Sequence, residues 1–328
     1  MLAAWYEKFG PATEVLTIGD TDTPSAGQGE VLVRLHTSGI NPSDVKKRAG
    51  AFPDLLDGGF VIPNSDGAGI IEAVGEGIDR SRIGERVWIY QAQYARRFGT
   101  AAEYVAVDST RAATLPDAVG FDVGACLGIP AMTAHRCVFA DGEVSGQTIL
   151  ITGGAGRVGN YAVQWASMSG ATVIATASND DDVAACTQAG AQFVVNHRGD
   201  DFIDAVMAAN SGAPVDRVIE VEFGVNLRTS VEVLRTGGTI ATYSSTQDTE
   251  PKLPFLKMMY KDITLRFVIV YAMPEVAKEH AVSDIAAALG EDTLQHRIAA
   301  TLPLADIATG NETIEQDGVR GAVVLNID

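Results

Sequence analysis

The segment Ile151-Thr152-Gly153-Gly154-Ala155-Gly156-Arg157-Val158-Gly159 is where residue type and spacing in this chain most directly imply chemistry. Gly154, Gly156 and Gly159 stand in the pattern GxGxxG. The apolar run Thr148-Ile149-Leu150-Ile151-Thr152 precedes it, and Val158, Tyr161, Ala162, Trp165 and Met168 follow at helical spacing. A strand that turns sharply into a helix aims the helix N-terminus, with its outward N–H groups and positive dipole end, beyond the strand. The glycines divide the work. An early one permits the tight turn, Gly156 lets backbone approach a diphosphate, and Gly159 lets the helix lie close to the strand. The alternative is a merely structural turn, but a strand before and a helix after favour a dinucleotide site. Gly153, Gly154, Ala155, Gly156, Arg157, Val158 and Gly159 are its expected contacts.

The second strand of such a unit ends about 20 residues further on, where an acid would bond the ribose hydroxyls of NAD. Here the strand runs Ala175-Thr176-Ala177-Ser178-Asn179, and Ala177 takes the acid's place. A 2′-phosphate is not repelled there, and Ser178 and Asn179 can donate to it. Asp180, Asp181 and Asp182 follow at once and read as helix capping and dipole compensation. His197 and Arg198, after the third strand, add positive character. The expected cofactor is NADPH, with NADH as the alternative.

The elements that must position these residues are of two kinds. Residues 1–125 hold short strand-like runs, among them Val31–His36, Ile70–Val74, Arg86–Tyr90 and Glu103–Val107, separated by turn formers such as Asn41-Pro42 and Gly75-Glu76-Gly77. Near residue 126 the pattern changes. Strands at 148–152, 172–176, 193–195, 215–220 and 239–242 alternate with helical stretches, one of them over 180–189 closed by Gly190. That alternation predicts an α/β, doubly wound parallel sheet. Residues 265–328 return to mixed structure, closing with Gly321–Leu325. The expected domains are 1–125 with 265–328, mostly β, and 126–264, which binds the dinucleotide. Ligands of open α/β sheets bind at the C-terminal strand ends, so Glu220, Phe223, Tyr243 and Ser244 join the candidates.

Five segments, in order, give a resemblance that covers essentially the whole chain. They are Gly39-Ile40-Asn41-Pro42-Ser43-Asp44, Pro63-Asn64-Ser65-Asp66-Gly67-Ala68-Gly69 with Val74-Gly75, Ala102-Glu103-Tyr104 with Leu115-Pro116, Pro130-Ala131-Met132-Thr133-Ala134, and the glycine motif with Gly237-Gly238. Together they resemble the medium-chain dehydrogenase/reductase superfamily, and within it the zinc-free quinone oxidoreductase group related to zeta-crystallin. The resemblance implies a GroES-like substrate domain beside the Rossmann domain, and a homodimer. It implies that Asn41 faces nicotinamide and substrate, although an Asn-Pro pair is also a plain turn former. Thr133 is similar to a position near the nicotinamide ribose, or is simply a helix residue. Ile40 and Tyr94 are assigned to the substrate. Zinc-dependent relatives carry a Cys or His where Ser43-Asp44 stands, a His-Glu pair where Ser65-Asp66 stands, and a cysteine lobe near residues 90–105. None of these is present, so no metal site is expected. Three positions depart from the group's pattern. Lys46 replaces a tyrosine and is a candidate proton donor, or else a surface lysine beside Lys47 and Arg48. Asp182 replaces a lysine that meets the 2′-phosphate, and His197 replaces a tyrosine.

The bulk numbers fit. A chain of 328 residues with net charge −18 repels phosphate backbones and anionic membrane surfaces, so no nucleic-acid or membrane partner is expected. Cys126, Cys137 and Cys186 form no CxxC pair, no signal-peptide pattern opens the sequence, and no apolar run reaches the roughly 20 residues of a membrane span. A cytoplasmic enzyme is expected. Its reaction is expected to be NADPH-dependent, zinc-independent hydride transfer to a small molecule, a quinone. The alternatives are reduction of an enone or enal, or a non-catalytic nucleotide-binding protein.

Overall fold

The computed structural model describes residues 1–316 and 318–327. The chain forms two compact units, Met1–Ile129 with Val282–Asp328, and Pro130–Ala281.

The first unit begins with β1 (Leu2–Trp5), α1 (Ala12–Val15), β2 (Thr17–Asp20), β3 (Glu30–Ile40) and α2 (Pro42–Arg48). There follow β4 (Asp66–Val74), β5 (Arg86–Ile89), β6 (Tyr104–Asp108), β7 (Ala112–Thr114) and the short α3 (Phe121–Gly124). The second unit runs α4 (Met132–Phe139), β8 (Thr148–Ile151), α5 (Arg157–Met168), β9 (Thr172–Ala177), α6 (Asp180–Gln188), β10 (Phe193–Asn196), α7 (Phe202–Ala209) and β11 (Val215–Glu220). It continues through α8 (Phe223–Val233), β12 (Leu234–Thr242), α9 (Phe255–Tyr260), β13 (Thr264–Phe267) and α10 (Glu275–Gly290). The chain then completes the first unit with β14 (Ile298–Pro303), α11 (Ile307–Glu315) and β15 (Ala322–Asn326).

In the first unit β3 is the hub. Eleven residues long, it pairs antiparallel with β4 along its length, with β6 through Glu30–Arg34, and with β15 through Thr37–Ile40. The sheet order is β14-β15-β3-β4-β5-β7, with β6 branching from β3. Inward-facing Val31, Val33 and Leu35 alternate with more exposed residues along β3 and pack on Ile71, Val87, Ile89 and Val105.

The second unit is a six-stranded parallel sheet in the order β10-β9-β8-β11-β12-β13. All four residues of β8 are buried, as the unbroken apolar run requires of a strand covered on both faces. The order reverses between β8 and β11, which is where open α/β sheets bind their ligands. This is the α/β, doubly wound fold expected from the sequence, joined to a mostly β unit.

The sequence placed the domain boundaries at 125/126 and 264/265. The structure places the first four residues later, within the π-helical turn Leu127–Ala131. The second moves to 281/282, because β13 pairs in parallel with β12 and so belongs to the nucleotide sheet. The run from Leu265 is apolar and strand-like in either setting, so its residues do not say which sheet it joins.

Candidate functional site

The glycine segment folds as its spacing dictates. Gly153 takes a left-handed φ of +63°, and its N–H donates to Thr176 Oγ1 at 2.9 Å. Gly154 N–H donates to the Thr176 carbonyl at 3.2 Å, tying the turn to β9. A Cβ on Gly159 would lie 2.1 Å from the Gly153 carbonyl oxygen, so α5 reaches the turn only with glycine there. A Cβ on Gly154 would meet Ala175 at 2.8 Å and Cys186 Sγ at 2.9 Å. At Gly156, the N-cap of α5, an added Cβ would meet a single atom, the Gly153 carbonyl oxygen at 3.1 Å, so it is less crowded than Gly154 or Gly159. The first-turn N–H groups of a helix of 12 residues emerge at that point. These features fit a dinucleotide diphosphate. Ala155 is buried, while Arg157 and Val158 are half-buried at the helix start.

Beyond the turn, β9 ends on buried Ala177 with Ser178 half-exposed after it. Asn179 caps α6. Its Oδ1 accepts from Asp182 N–H at 2.9 Å and its Nδ2 donates to Asp182 Oδ2 at 2.9 Å. The amide expected to meet a 2′-phosphate is therefore engaged in a cap, and Asp182 is folded back onto it and buried. His197 and Arg198 are exposed past the end of β10. Of the residues expected to read the ribose, Ser178, His197 and Arg198 keep side chains at the surface.

At the C-terminal edge of the sheet, Glu220 proves to be a structural tie. Its Oε1 accepts from Thr152 Oγ1 at 2.8 Å, Glu222 N–H at 2.8 Å and Asn226 Nδ2 at 2.9 Å, and its Oε2 from Ser230 Oγ at 3.1 Å. One carboxylate thus joins the ends of β8 and β11 to α8. The Phe223 ring is buried in the core with Leu227 and Ile240 and meets Phe267 edge-on at 5.6 Å. The Phe223 N–H donates to the Ser244 carbonyl at 3.1 Å. Tyr243 is half-buried. Burial holds its phenol well above the usual range, Cys137 and Glu220 add to this, and the Arg157 charge opposes it. Thr133 lies buried in the first turn of α4.

In the first unit the turn after β3 builds a dense polar cluster. Asn41 is buried at the N-terminus of α2, and its backbone N–H donates to Asp44 Oδ2 at 2.9 Å. The Asn41 Nδ2 donates to Asp66 Oδ2 at 2.8 Å, and Asp66 Oδ2 also accepts from Ile129 N–H at 2.7 Å. Lys46 is exposed. The buried lysine is its neighbour Lys47, only 6% exposed. The Lys47 Nζ donates to the Gln93 carbonyl at 2.9 Å, Gln93 Oε1 at 3.0 Å and Ser65 Oγ at 3.3 Å, and stands 3.9 Å from Asp44 Oδ1. Burial lowers the Lys47 ammonium's pKa, and the charges of Asp44 and Asp66 oppose that. Burial raises Asp44, with Lys47 opposing. Burial also pushes Asp66 up to about 8, against the Ile129 N–H bond and with the Asp44 charge adding to the rise.

Sequence reasoning named Asn41 but missed Lys47, Asp44, Asp66 and Gln93 as partners. A signal was present, since Asp44 with Lys47 and Arg48 lies at the i, i+3 and i+4 spacing of one helix face. The expectation for Ile40 is corrected, because its side chain is in the core and a Cβ on Gly310 would meet its Cδ1 at 2.6 Å. Tyr94 is 47% exposed.

The donor positions where zinc-dependent relatives hold their metal are thus filled by Asp44, Ser65 and Asp66, bonded to an ammonium, an amide and a backbone N–H. Among the described residues no three His, Cys, Asp or Glu side chains gather as a metal site would need.

With this geometry in hand, comparison with known proteins is informative. Residues 27–117 match the Alcohol dehydrogenase GroES-like domain, and residues 158–287 the family described as Zinc-binding dehydrogenase. The second span contains none of the donor positions just described. The chain is similar to the quinone oxidoreductase of Mus musculus, 32% identical over 242 residues, covering 72% of this chain and 70% of the relative. It is also similar in structure to a mycobacterial protein solved with NADPH (25% identity, TM-score 0.87, 100% of both chains). A solved NAD-dependent alcohol dehydrogenase is comparable (26% identity, TM-score 0.86, 100% of both chains). The glycine turn, the two-unit architecture and these likenesses agree: the chain belongs to the medium-chain dehydrogenase/reductase superfamily, in its zinc-free quinone oxidoreductase group.

Proposed function

We propose that this oxidoreductase is NADPH-dependent and zinc-independent and that its hydride acceptor is a quinone. The observation that carries the reading is the turn at Gly153–Gly159, closed by packing at Gly159, with the first-turn N–H groups of α5 emerging after its N-cap Gly156. The end of β9 supports NADPH over NADH, since Ala177 offers no acid to a ribose diol and Asp182 is turned inward on its cap. A reduced nicotinamide supplies the hydride when bound. The chain's own part is to orient and to handle the proton. The turn and the α5 N-terminus would hold the diphosphate, Ser178, His197 and Arg198 would meet the 2′-phosphate, Thr133 would stand near the nicotinamide ribose, and Tyr243 and Ser244 would contact the cofactor at the sheet edge. Asn41 orients the substrate carbonyl, Tyr94 lines its site, and exposed Lys46 is the proton donor. A quinone that gains hydride needs one proton to become the hydroquinone, and an ammonium or water supplies it.

Zinc independence is supported by the donor set, because Lys47 places a cation among Asp44, Ser65 and Gln93. We place the chain in the cytoplasm on its three buried cysteines, which stand outside any disulfide. Among the described residues no helix is long and apolar enough to cross a membrane. A homodimer through the edge strand β13 is supported by exposed Phe267 (69%) and Tyr260 (78%), with Phe255, Leu256 and Met259 beside them.

The test is NADPH and NADH oxidation with 1,4-benzoquinone and an α,β-unsaturated ketone in parallel, using wild type and Lys46→Ala. Faster NADPH loss with the quinone is expected, slowed in the variant. Loss with the ketone alone moves the protein to the alkene reductases. Cofactor binding without loss leaves a nucleotide-binding protein, and unchanged kinetics in Lys46→Ala remove that residue from the mechanism.

A further inference from the structure

Asp66 is fully buried, yet only one of its oxygens is used: Oδ1 accepts from no described residue. An apolar residue would pack there without desolvating a carboxyl group, so packing alone does not account for an acid. Its other oxygen, Oδ2, grips the Asn41 amide. We propose that Asp66 is a positioning residue that fixes the orientation of the Asn41 amide; this rests on the reading of Asn41 as the residue that faces nicotinamide and substrate.

The geometry is over-determined on the Asp66 side. Asp66 opens β4 and pairs with Gly39 of β3, two residues before Asn41. The Ile129 N–H holds Oδ2 at 2.7 Å. A Cβ on Gly128 would lie 2.0 Å from Oδ1, so only glycine fits beside this carboxyl group. Asn41 is held at its other end by Asp44 Oδ2 on its backbone N–H at 2.9 Å. Oδ2 already accepts from Ile129, so it presents an acceptor to Asn41 and selects the NH₂ end of that amide. The flipped amide would set oxygen against oxygen. One Nδ2 hydrogen is then bound to Asp66, and the second is left to donate to a ligand carbonyl. The charged groups that act on Asp66 are Asp44, which raises its pKa further, and Lys47, which opposes the rise and stands 3.9 Å from Asp44; the Cys126 thiol nearby is held neutral by burial.

The experiment measures kcat, KM for NADPH and KM for quinone in Asp66→Val and Asp66→Asn, each alone and with Asn41→Ala. In Asp66→Asn the side-chain carbonyl takes the Oδ2 place and still accepts both bonds. Asp66→Val is expected to lower kcat by about 10- to 100-fold with KM for NADPH little changed, and Asp66→Asn to recover most of it. On the Asn41→Ala background, Asp66→Val is expected to add no further loss. If Asn41→Ala lowers kcat and Asp66→Val multiplies that loss in full, the Asn41 reading stands and the Asp66 proposal is overturned. Wild-type kcat in Asn41→Ala overturns both. A second readout is independent of turnover and serves also if Asp66→Val does not fold and Asp66→Ala replaces it. The two Nδ2 protons of Asn41, inequivalent as in any primary amide and identified by their loss in Asn41→Ala, should keep their wild-type shifts in Asp66→Asn, whereas in the apolar variant the one bonded to Asp66 should move upfield toward the ordinary amide position; an unmoved resonance there would sink the proposal.

Discussion

At Asp66 and Lys47, side chains that ordinarily sit in water are packed into a β domain within reach of each other. The consequence is a pH-dependent stability with a definite sign. Asp66 titrates at about 8 in the folded chain against an ordinary 3.8, so between those values the folded state keeps a proton that the unfolded chain releases. Its contribution is therefore most favourable below the unfolded value and declines as pH rises through the window. The decline is at most about 1.4 kcal/mol per pH unit. Thermal unfolding of wild type should shift to lower temperature from pH 5 to pH 8, and Asp66→Asn should flatten that slope. An equal slope in the variant would assign the effect to other groups. Asn41 and its turn were legible in the sequence because Asn-Pro closes a strand and Pro-x-Asp opens a helix. Which of Lys46 and Lys47 is buried was not, since both are lysines and only the pitch of α2 against β4 separates them.

Among elements, the junction of β8 and α5 makes the sharpest demand. A methyl group on Gly159 meets the Gly153 carbonyl, so Gly159→Ala must push the helix off the turn. We expect it to cost about 1–3 kcal/mol in stability and to weaken NADPH binding in the same variant. Gly290→Ala, with nothing within 4 Å of its added Cβ, should leave both unchanged. Calorimetry and cofactor titration on the pair decide this, and a Gly159→Ala protein with normal affinity would show that the turn is not the cradle. The strands β8 to β11 could be read in the sequence to within a residue, whereas β12 starts at Leu234, five residues before the expected 239, because its Leu234-Arg235-Thr236-Gly237-Gly238 start carries no apolar run. The partner of Thr264–Phe267 could not be read, because a short apolar strand carries its period but not the identity of its neighbour. Ile40 failed for a related reason: position at a strand end says where a backbone lies, whereas packing decides where the side chain goes.

For the whole molecule, the open β13 edge sets the expected assembly. Phe267→Glu adds a charge to an exposed apolar edge and should convert a dimer to monomer in light-scattering chromatography, with the nucleotide site intact. An unchanged mass would place the interface elsewhere or remove it.

The pairing of β3 with β15 also governs how the chain is made. Thr37 finds its partner in Asn326, with the whole of Pro130–Ala281 between them in sequence. Translation at about 5–20 residues per second leaves that half of β3 without its neighbour for tens of seconds. During that interval the contiguous nucleotide unit has every residue it needs to close its core. The domain that starts first on the ribosome is the one that finishes last, so a stalled chain would already cradle a dinucleotide while the strand leading to Asn41 still waits for its flank.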